Sequence, residues 1–198
     1  MQVKDKIGKA ADCLISCYQN GGKVLVCGNG GSSSDSDHIV GELMKGFEQK
    51  RNLVEKIKNE LILKGGERGK YLSEKLQQGL PAISLSAHSG LISAIANDTD
   101  ADLIFAQQVI GYGNEGDVLL ALTTSGNSQN IIDAIITAKA KGMTVIGLTG
   151  ETGGKIASQC DILINVPGKS TASVQELHLP VYHVLCLITE SSFFINKK

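Results

Sequence analysis

An excess of charge of either sign is missing from this chain: 19 Lys and Arg stand against 20 Asp and Glu in 198 residues, a formal net charge of −1. That balance leaves no electrostatic footprint for nucleic acid or an anionic membrane. Also missing is any apolar run near the roughly 18–20 residues that a membrane span requires. The amino terminus, MQVKDKIGKAADC, alternates charged with apolar residues and has no signal-peptide apolar core. A soluble, cytoplasmic protein is the expectation. The five cysteines (Cys13, Cys17, Cys27, Cys160, Cys186) contain no C-x-x-C pair. Their odd number and scatter argue against a disulfide framework or a zinc ribbon. They read as small buried hydrophobes, not nucleophiles. No internal repeat or low-complexity tract interrupts the chain, and 198 residues suffice for one domain with a full core.

Five short apolar runs are present: 23–27, 82–85, 118–122, 144–148 and 162–166. Each is four or five residues of mostly Val, Ile and Leu, the composition of strands buried on both faces of a parallel sheet. Helical patterns at 90–96, 103–110, 129–140 and 155–160 separate them, and a further helix spans about 172–194 with Pro180 inside. This alternation predicts an α/β fold, a doubly wound five-stranded parallel sheet sandwiched by helices. Pro180 is expected to kink the last helix, because it cannot donate to the carbonyl of Glu176. The stretch 48–78 differs, mixing eight Lys or Arg with five Glu around Leu53, Val54, Ile57 and Leu61 before Gly65-Gly66. It reads as an inserted helical hairpin with a solvated face, within a single domain over 1–198.

Two loops carry the chemistry. Cys27-Gly28-Asn29-Gly30-Gly31-Ser32-Ser33-Ser34 follows the first apolar run and opens a helix over 35–47. Such a turn lets backbone N–H groups, Ser hydroxyls and a helix N-terminus converge on an anion. Thr123-Thr124-Ser125-Gly126-Asn127-Ser128 repeats that build after the third run. Two such loops at strand carboxyl ends suggest a phosphorylated ligand held from both sides. It is a poor dinucleotide fingerprint. Ser33 stands where a third glycine belongs, and no acidic residue ends the second strand. His38 and Glu42, at i, i+4, share one face of the helix behind the first loop. Gln175 and His183 lie eight residues apart, about 80° around an ideal helix, so a kink could turn both to one cavity. These four side chains could ligate a divalent ion such as Zn²⁺, or act as acid and base beside a sugar carbonyl. His88, just past a strand end, and His178 read as structural histidines. Asn97-Asp98 reads as a helix-boundary cap or a sugar-hydroxyl contact.

Taken together, the segments CGNGGSSSDSDHIVGEL (27–43), Asn97-Asp98, GDVLLALTTSGNSQNIIDAI (116–135), GMTVIGLTG (142–150) and VQELHLPVYHVLCLI (174–188) resemble the sugar isomerase (SIS) domain family. Within it the resemblance is to bacterial isomerases of heptose phosphates. It implies the same doubly wound sandwich, assembled as a homotetramer with active sites at subunit boundaries. It implies that Asn29, Gly31, Ser32, Thr123, Ser125 and Ser128 hold the substrate and its phosphate, with Asp98 and Gln175 also in the pocket. His38, Glu42, Gln175 and His183 match the family's zinc-site and catalytic positions. The implied reaction converts sedoheptulose 7-phosphate to D-glycero-D-manno-heptose 7-phosphate through an enediol, with Glu42 moving the proton and His183 as partner acid–base group. Three departures accompany the match. A helix that members carry before the segment beginning here at Met1 is not recognisable, which would favour a dimer over a tetramer. The 48–78 insert is longer than usual, and Thr171-Ala172-Ser173 lacks an acidic residue present in some relatives. Retention of His38, Glu42, Gln175 and His183 separates the isomerase from two alternatives. One is a non-catalytic phosphosugar-sensing or replication-initiator-binding module, which keeps the loops and loses part of that set. The other is a different phosphosugar isomerase or lyase.

Overall fold

All five apolar runs pair as parallel strands in the computed structural model, which describes residues 3–194. They are β1 (Val24–Gly28), β2 (Ala82–Ser84), β3 (Val118–Thr123), β4 (Thr144–Thr149) and β5 (Ile162–Asn165), in the spatial order β2-β1-β3-β4-β5. Val26 lies opposite Leu120, and Leu120 opposite Ile146. Side chains alternate between two apolar layers, as a period of two requires. Val24, Val26, Leu120, Leu122 and Leu148 pack with α1 (Val3–Gln19), α2 (Gly31–Met44) and α7 (Thr171–Phe194). Leu25, Leu119, Ala121 and Val145 pack on the other face with α5 (Ala106–Tyr112) and α6 (Gln129–Ala140). The chain leaves β1 for β2 on one side and places β3 on the other, so the strand order reverses between β1 and β3. A crevice opens at their carboxyl ends, where open α/β sheets bind ligands.

Local departures from the sequence expectation have identifiable causes. The first-loop helix begins at Gly31, not at 35, because Gly30 adopts φ 55° and turns the chain directly into it. The pattern at 103–110 divides into a 3₁₀ turn (Ala101–Leu103) and α5, the turn being capped by Asp100, which accepts from Asp102 N at 2.8 Å. The 155–160 segment is also a 3₁₀ turn, over Gly154–Ser158. α7 runs through Pro180 without a break. His88 caps α4 (Ser89–Asp98), its ring accepting from Leu91 N at 3.1 Å. All five cysteines are free, and burial pushes Cys17 up to about 11 and Cys160 and Cys186 up to about 12, leaving unreactive thiols. Among the described residues no helix is long and apolar enough to cross a membrane.

Residues 48–78 form the hairpin helix α3 (Glu55–Lys75), reversed at Gly66 (φ 52°, ψ −131°). Leu63 at its turn is 78% exposed. Its root is tied by the Asn52–Gln77 bridge and by Gln78 N donating to Arg51 O at 2.8 Å. Below the root lies a buried polar clamp. Glu190 of α7 accepts from the N–H groups of Phe47 (2.8 Å), Glu48 (2.9 Å) and Gln49 (3.2 Å) and from Arg51 Nε (2.9 Å). Arg51 in turn donates to the last-turn carbonyls of α2, those of Leu43 and Glu42. Burial alone would raise the Glu190 carboxyl, but the Phe47 and Glu48 N–H groups and the Arg51 guanidinium outweigh it and hold it below the usual range.

Glu190→Leu strands a buried guanidinium and is expected to lose about 3–5 kcal/mol, whereas Arg51→Met leaves Glu190 its three N–H donors and loses less. Urea unfolding of the two variants side by side measures the difference. A second expectation concerns His178, fully buried, with the Thr149 backbone only weakly opposing the desolvation of its ring. Burial pushes it down to about 4 from 6.5. The unfolded state then binds more protons between those values, so stability is complete above pH 6.5 and falls as pH drops toward 4, by about 3 kcal/mol from this residue. His178→Leu should flatten the melting-temperature profile in that window; an unchanged profile would remove His178 as its source.

Candidate active site

The two Gly/Ser loops face each other across the β1/β3 crevice. Gly30, at φ 55°, turns β1 into α2 and aims the positive end of that helix at the opening, while Ser32 N and Ser33 N donate back to Asn29 O and Gly30 O at 3.0 Å. The second loop is held in shape from within. Gly126 N donates to Thr123 Oγ1 (3.2 Å), Asn127 N to Ser125 Oγ (3.2 Å), and Lys155 N to Asn127 Oδ1 (3.0 Å). Reciprocal amide bonds join the loops, Asn29 Nδ2 to Asn130 Oδ1 at 2.9 Å and Asn130 Nδ2 to Asn29 Oδ1 at 3.0 Å. Between them lies a cavity of about 240 Å³ lined by Asn29, Gly31, Ser32, Thr123, Ser128 and Gln175. Gln175 rests its amide against Gly31, where a β-carbon would collide with it. Ser125 lines an adjoining cavity of about 420 Å³ that shares Thr124 and Thr171 with the first. Asp98 is exposed at the end of α4, accepts from Asn97 Nδ2 at 2.7 Å, and lines neither cavity.

A second group gathers farther along α2, where that helix runs beside α7 in the same direction. His38 Nε2 stands 3.2 Å from Glu42 Oε1, as the i, i+4 spacing anticipates. Opposite them His183 sets its ring 5.1 Å from that of His38, edge to face, with Phe47 packed behind it at 5.4 Å. Tyr182 Oη lies 3.1 Å from His38 Nδ1 and donates to Asp35 Oδ1 at 3.2 Å. Burial raises the Asp35 carboxyl, against the opposing pull of the Tyr182 hydroxyl and His38. Three buried atoms here have no hydrogen-bond partner: Asp35 Oδ2, Glu42 Oε2 and His183 Nε2. Lys45 Nζ is 3.8 Å from Glu42 Oε2, beyond hydrogen-bond distance.

His38, Glu42 and His183 therefore meet, and Gln175 does not join them. It sits at Gly31, seven residues or about 10 Å of helix axis from His38. Among the described residues no three His, Cys, Asp or Glu side chains stand as a ready-made metal cage. The donor set nevertheless fits a borderline ion such as Zn²⁺ in kind, with two imidazoles and a carboxylate of which two atoms are buried and unpartnered. Asp35, Tyr182, Phe47 and Asn130 were not anticipated from sequence. Asp35 carried a usable signal, since 35, 38 and 42 fall on one helix face. Tyr182 and Asn130 carried none.

The SIS domain family model matches residues 1–76 and 72–150. The phosphoheptose isomerase of Rhodospirillum rubrum is 39% identical over 186 residues, 94% of this chain and 85% of that protein. That of Laribacter hongkongensis is 41% identical over 183 residues, 91% of this chain and 80% of the other. Among solved structures, a phosphoheptose isomerase from Francisella tularensis superposes with a TM-score of 0.78 at 36% identity, covering 94% of this chain and 86% of that one. The enzyme from Neisseria gonorrhoeae gives 0.76 at 34% identity with the same coverage.

Two glycines of the crevice are expected to respond differently to alanine. Gly126 has φ 69° and backbone in the path of a β-carbon, so Gly126→Ala should lose more than about 1 kcal/mol of stability. Gly31→Ala displaces only the flexible end of Gln175. It should keep its melting temperature and bind sugar phosphate severalfold more weakly, as thermal unfolding and calorimetric titration would read.

Proposed function

Because the chain belongs to the SIS domain family, we propose that it is a phosphoheptose isomerase, interconverting sedoheptulose 7-phosphate and D-glycero-D-manno-heptose 7-phosphate. The observation that carries the reading is the coexistence of two parts on α2: an anion crevice at its N-terminus and the His38–Glu42–His183 group near its other end. The crevice binds the phosphate. The hydroxyls of Ser32, Thr123 and Ser128, with Ser125 from the adjoining cavity and the positive end of α2, attract it without a full charge, which suits an ester that must also leave. Asn29, held by Asn130, and Gln175, seated on Gly31, orient the sugar chain.

At the reacting end Glu42 takes the proton from one of C1 and C2 and returns it to the other, by way of the enediol. His183 exchanges the proton of the neighbouring oxygen, so charge does not accumulate there. A Zn²⁺ held by His38, Glu42 and His183 would polarise the carbonyl oxygen as a Lewis acid. Phe47, packed on His183, limits water beside the enediol.

Eleven residues of α2 separate Gly31 from Glu42, about 16 Å of axis. That is a long reach for one heptose phosphate within one chain. A homo-oligomer that seats the α2–α7 pair of one copy near the crevice of another shortens it, and α7 offers Leu177, Val184 and Ile188 along one uncovered face. The balanced charge and phosphorylated substrate accord with a cytoplasmic enzyme that engages neither nucleic acid nor membrane.

The deciding experiment is turnover of sedoheptulose 7-phosphate by the purified chain with and without Zn²⁺, with separation of the isomeric products. Conversion is expected, and Glu42→Gln should lower kcat by about 10²–10⁴-fold while leaving the fold intact. Binding without conversion in either metal state would replace the isomerase with a phosphosugar-sensing module. Ser125→Ala should mainly raise KM, since it removes a contact common to substrate and transition state.

A further inference from the structure

Tyr182 has a single hydroxyl proton and two neighbours. Its oxygen stands 3.2 Å from Asp35 Oδ1 and 3.1 Å from His38 Nδ1. The hydroxyl donates its proton to Asp35 Oδ1, so the hydroxyl oxygen is left to accept from Nδ1–H. A neutral imidazole carries one N–H. Its Nε2 is then a bare lone pair, and it faces Glu42 Oε1 at 3.2 Å. Neither atom then donates to the other, and both lone pairs are left for a shared metal ion.

We infer that Tyr182 and Asp35 are positioning residues that hold His38 as its Nδ1–H tautomer and present Nε2, with Glu42, as a ready electron-pair donor. The residues around this pair agree. Asp35, His38 and Glu42 lie on one face of α2, Tyr182 and His183 are consecutive on α7, and the Tyr182 ring meets that of His38 edge to face (5.5 Å between centroids, 74° between planes). Glu42 Oε2 and His183 Nε2, both buried and unpartnered, are the atoms that would complete the donor set. A carboxylate–hydroxyl–imidazole relay of this form fixes ring orientation and tautomer behind a ligand and raises its basicity. Its value to the chemistry rests on the metal reading given under the proposed function; the tautomer itself does not.

The test uses the full chain, metal-free, with ¹⁵N-labelled histidine at mildly alkaline pH, and a His38→Gln variant to assign the signal. Long-range ¹H–¹⁵N correlation should show His38 with a protonated Nδ1 and a bare Nε2. Tyr182→Phe removes the acceptor, and Asp35→Leu frees the Tyr182 proton for Nδ1; both should flip the ring to Nε2–H, donating to Glu42. A wild-type His38 already protonated at Nε2, or a ring that stays unchanged in both folded variants, would overturn the inference. Zn²⁺ affinity by chelator competition supplies the separate readout. Both variants should bind about 10–100-fold more weakly than wild type with unchanged melting temperature. Failure of the wild type to bind Zn²⁺ at all would remove the metal reading, with the tautomer still decided by the nitrogen shifts.

Discussion

A carboxylate buried near the end of one helix sets the geometry of this molecule. Glu190 is enclosed at the C-terminal end of α7, and burying it without partners would cost several kcal/mol. Three backbone N–H groups and the Arg51 guanidinium offset that cost, and Arg51 spends its remaining donors on the carbonyls that end α2. One network thus ties α2 to α7, satisfies acceptors a helix end leaves open, and anchors the root of the α3 hairpin. The His38–Glu42–His183 group depends on it, because it is built from side chains of α2 and α7.

The sheet places the other end of that helix pair. Strand order reverses between β1 and β3, so the loops leaving those two strands diverge and leave room between them. Gly30 turns the first loop into α2 at once, and the Asn29–Asn130 pair holds the two loops at a fixed separation. The crevice proposed to bind the phosphate therefore sits on the sheet, while the His38–Glu42–His183 group lies two to three turns down the helix.

The amphipathic and apolar periodicities were legible throughout. All five strands lie within a residue or two of the apolar runs, because a strand buried on both faces must be apolar at every position. His38 with Glu42 was legible too, since helical spacing alone places them together. Less legible were the short 3₁₀ segments, where Gly153, Gly154 and the Asp100 cap override a helical pattern. The meeting of Gln175 and His183 in one site did not occur. α7 continues through Pro180 and keeps them two turns apart, one beside Gly31 and the other beside His38.

Sequence alone determined the parallel α/β class, the two Gly/Ser loops at strand ends and the i, i+4 histidine–glutamate pair, all of which follow from contacts only a few residues long. Tertiary structure decided which distant residues meet: Tyr182 with His38, Asn130 with Asn29, Arg51 with Glu190, and Gln175 with Gly31 in the crevice. The physical reason is range. Periodicity and turn chemistry act over one or two turns of chain, whereas these pairs are more than 100 residues apart in sequence and depend on how α2, α6 and α7 pack across a shared sheet.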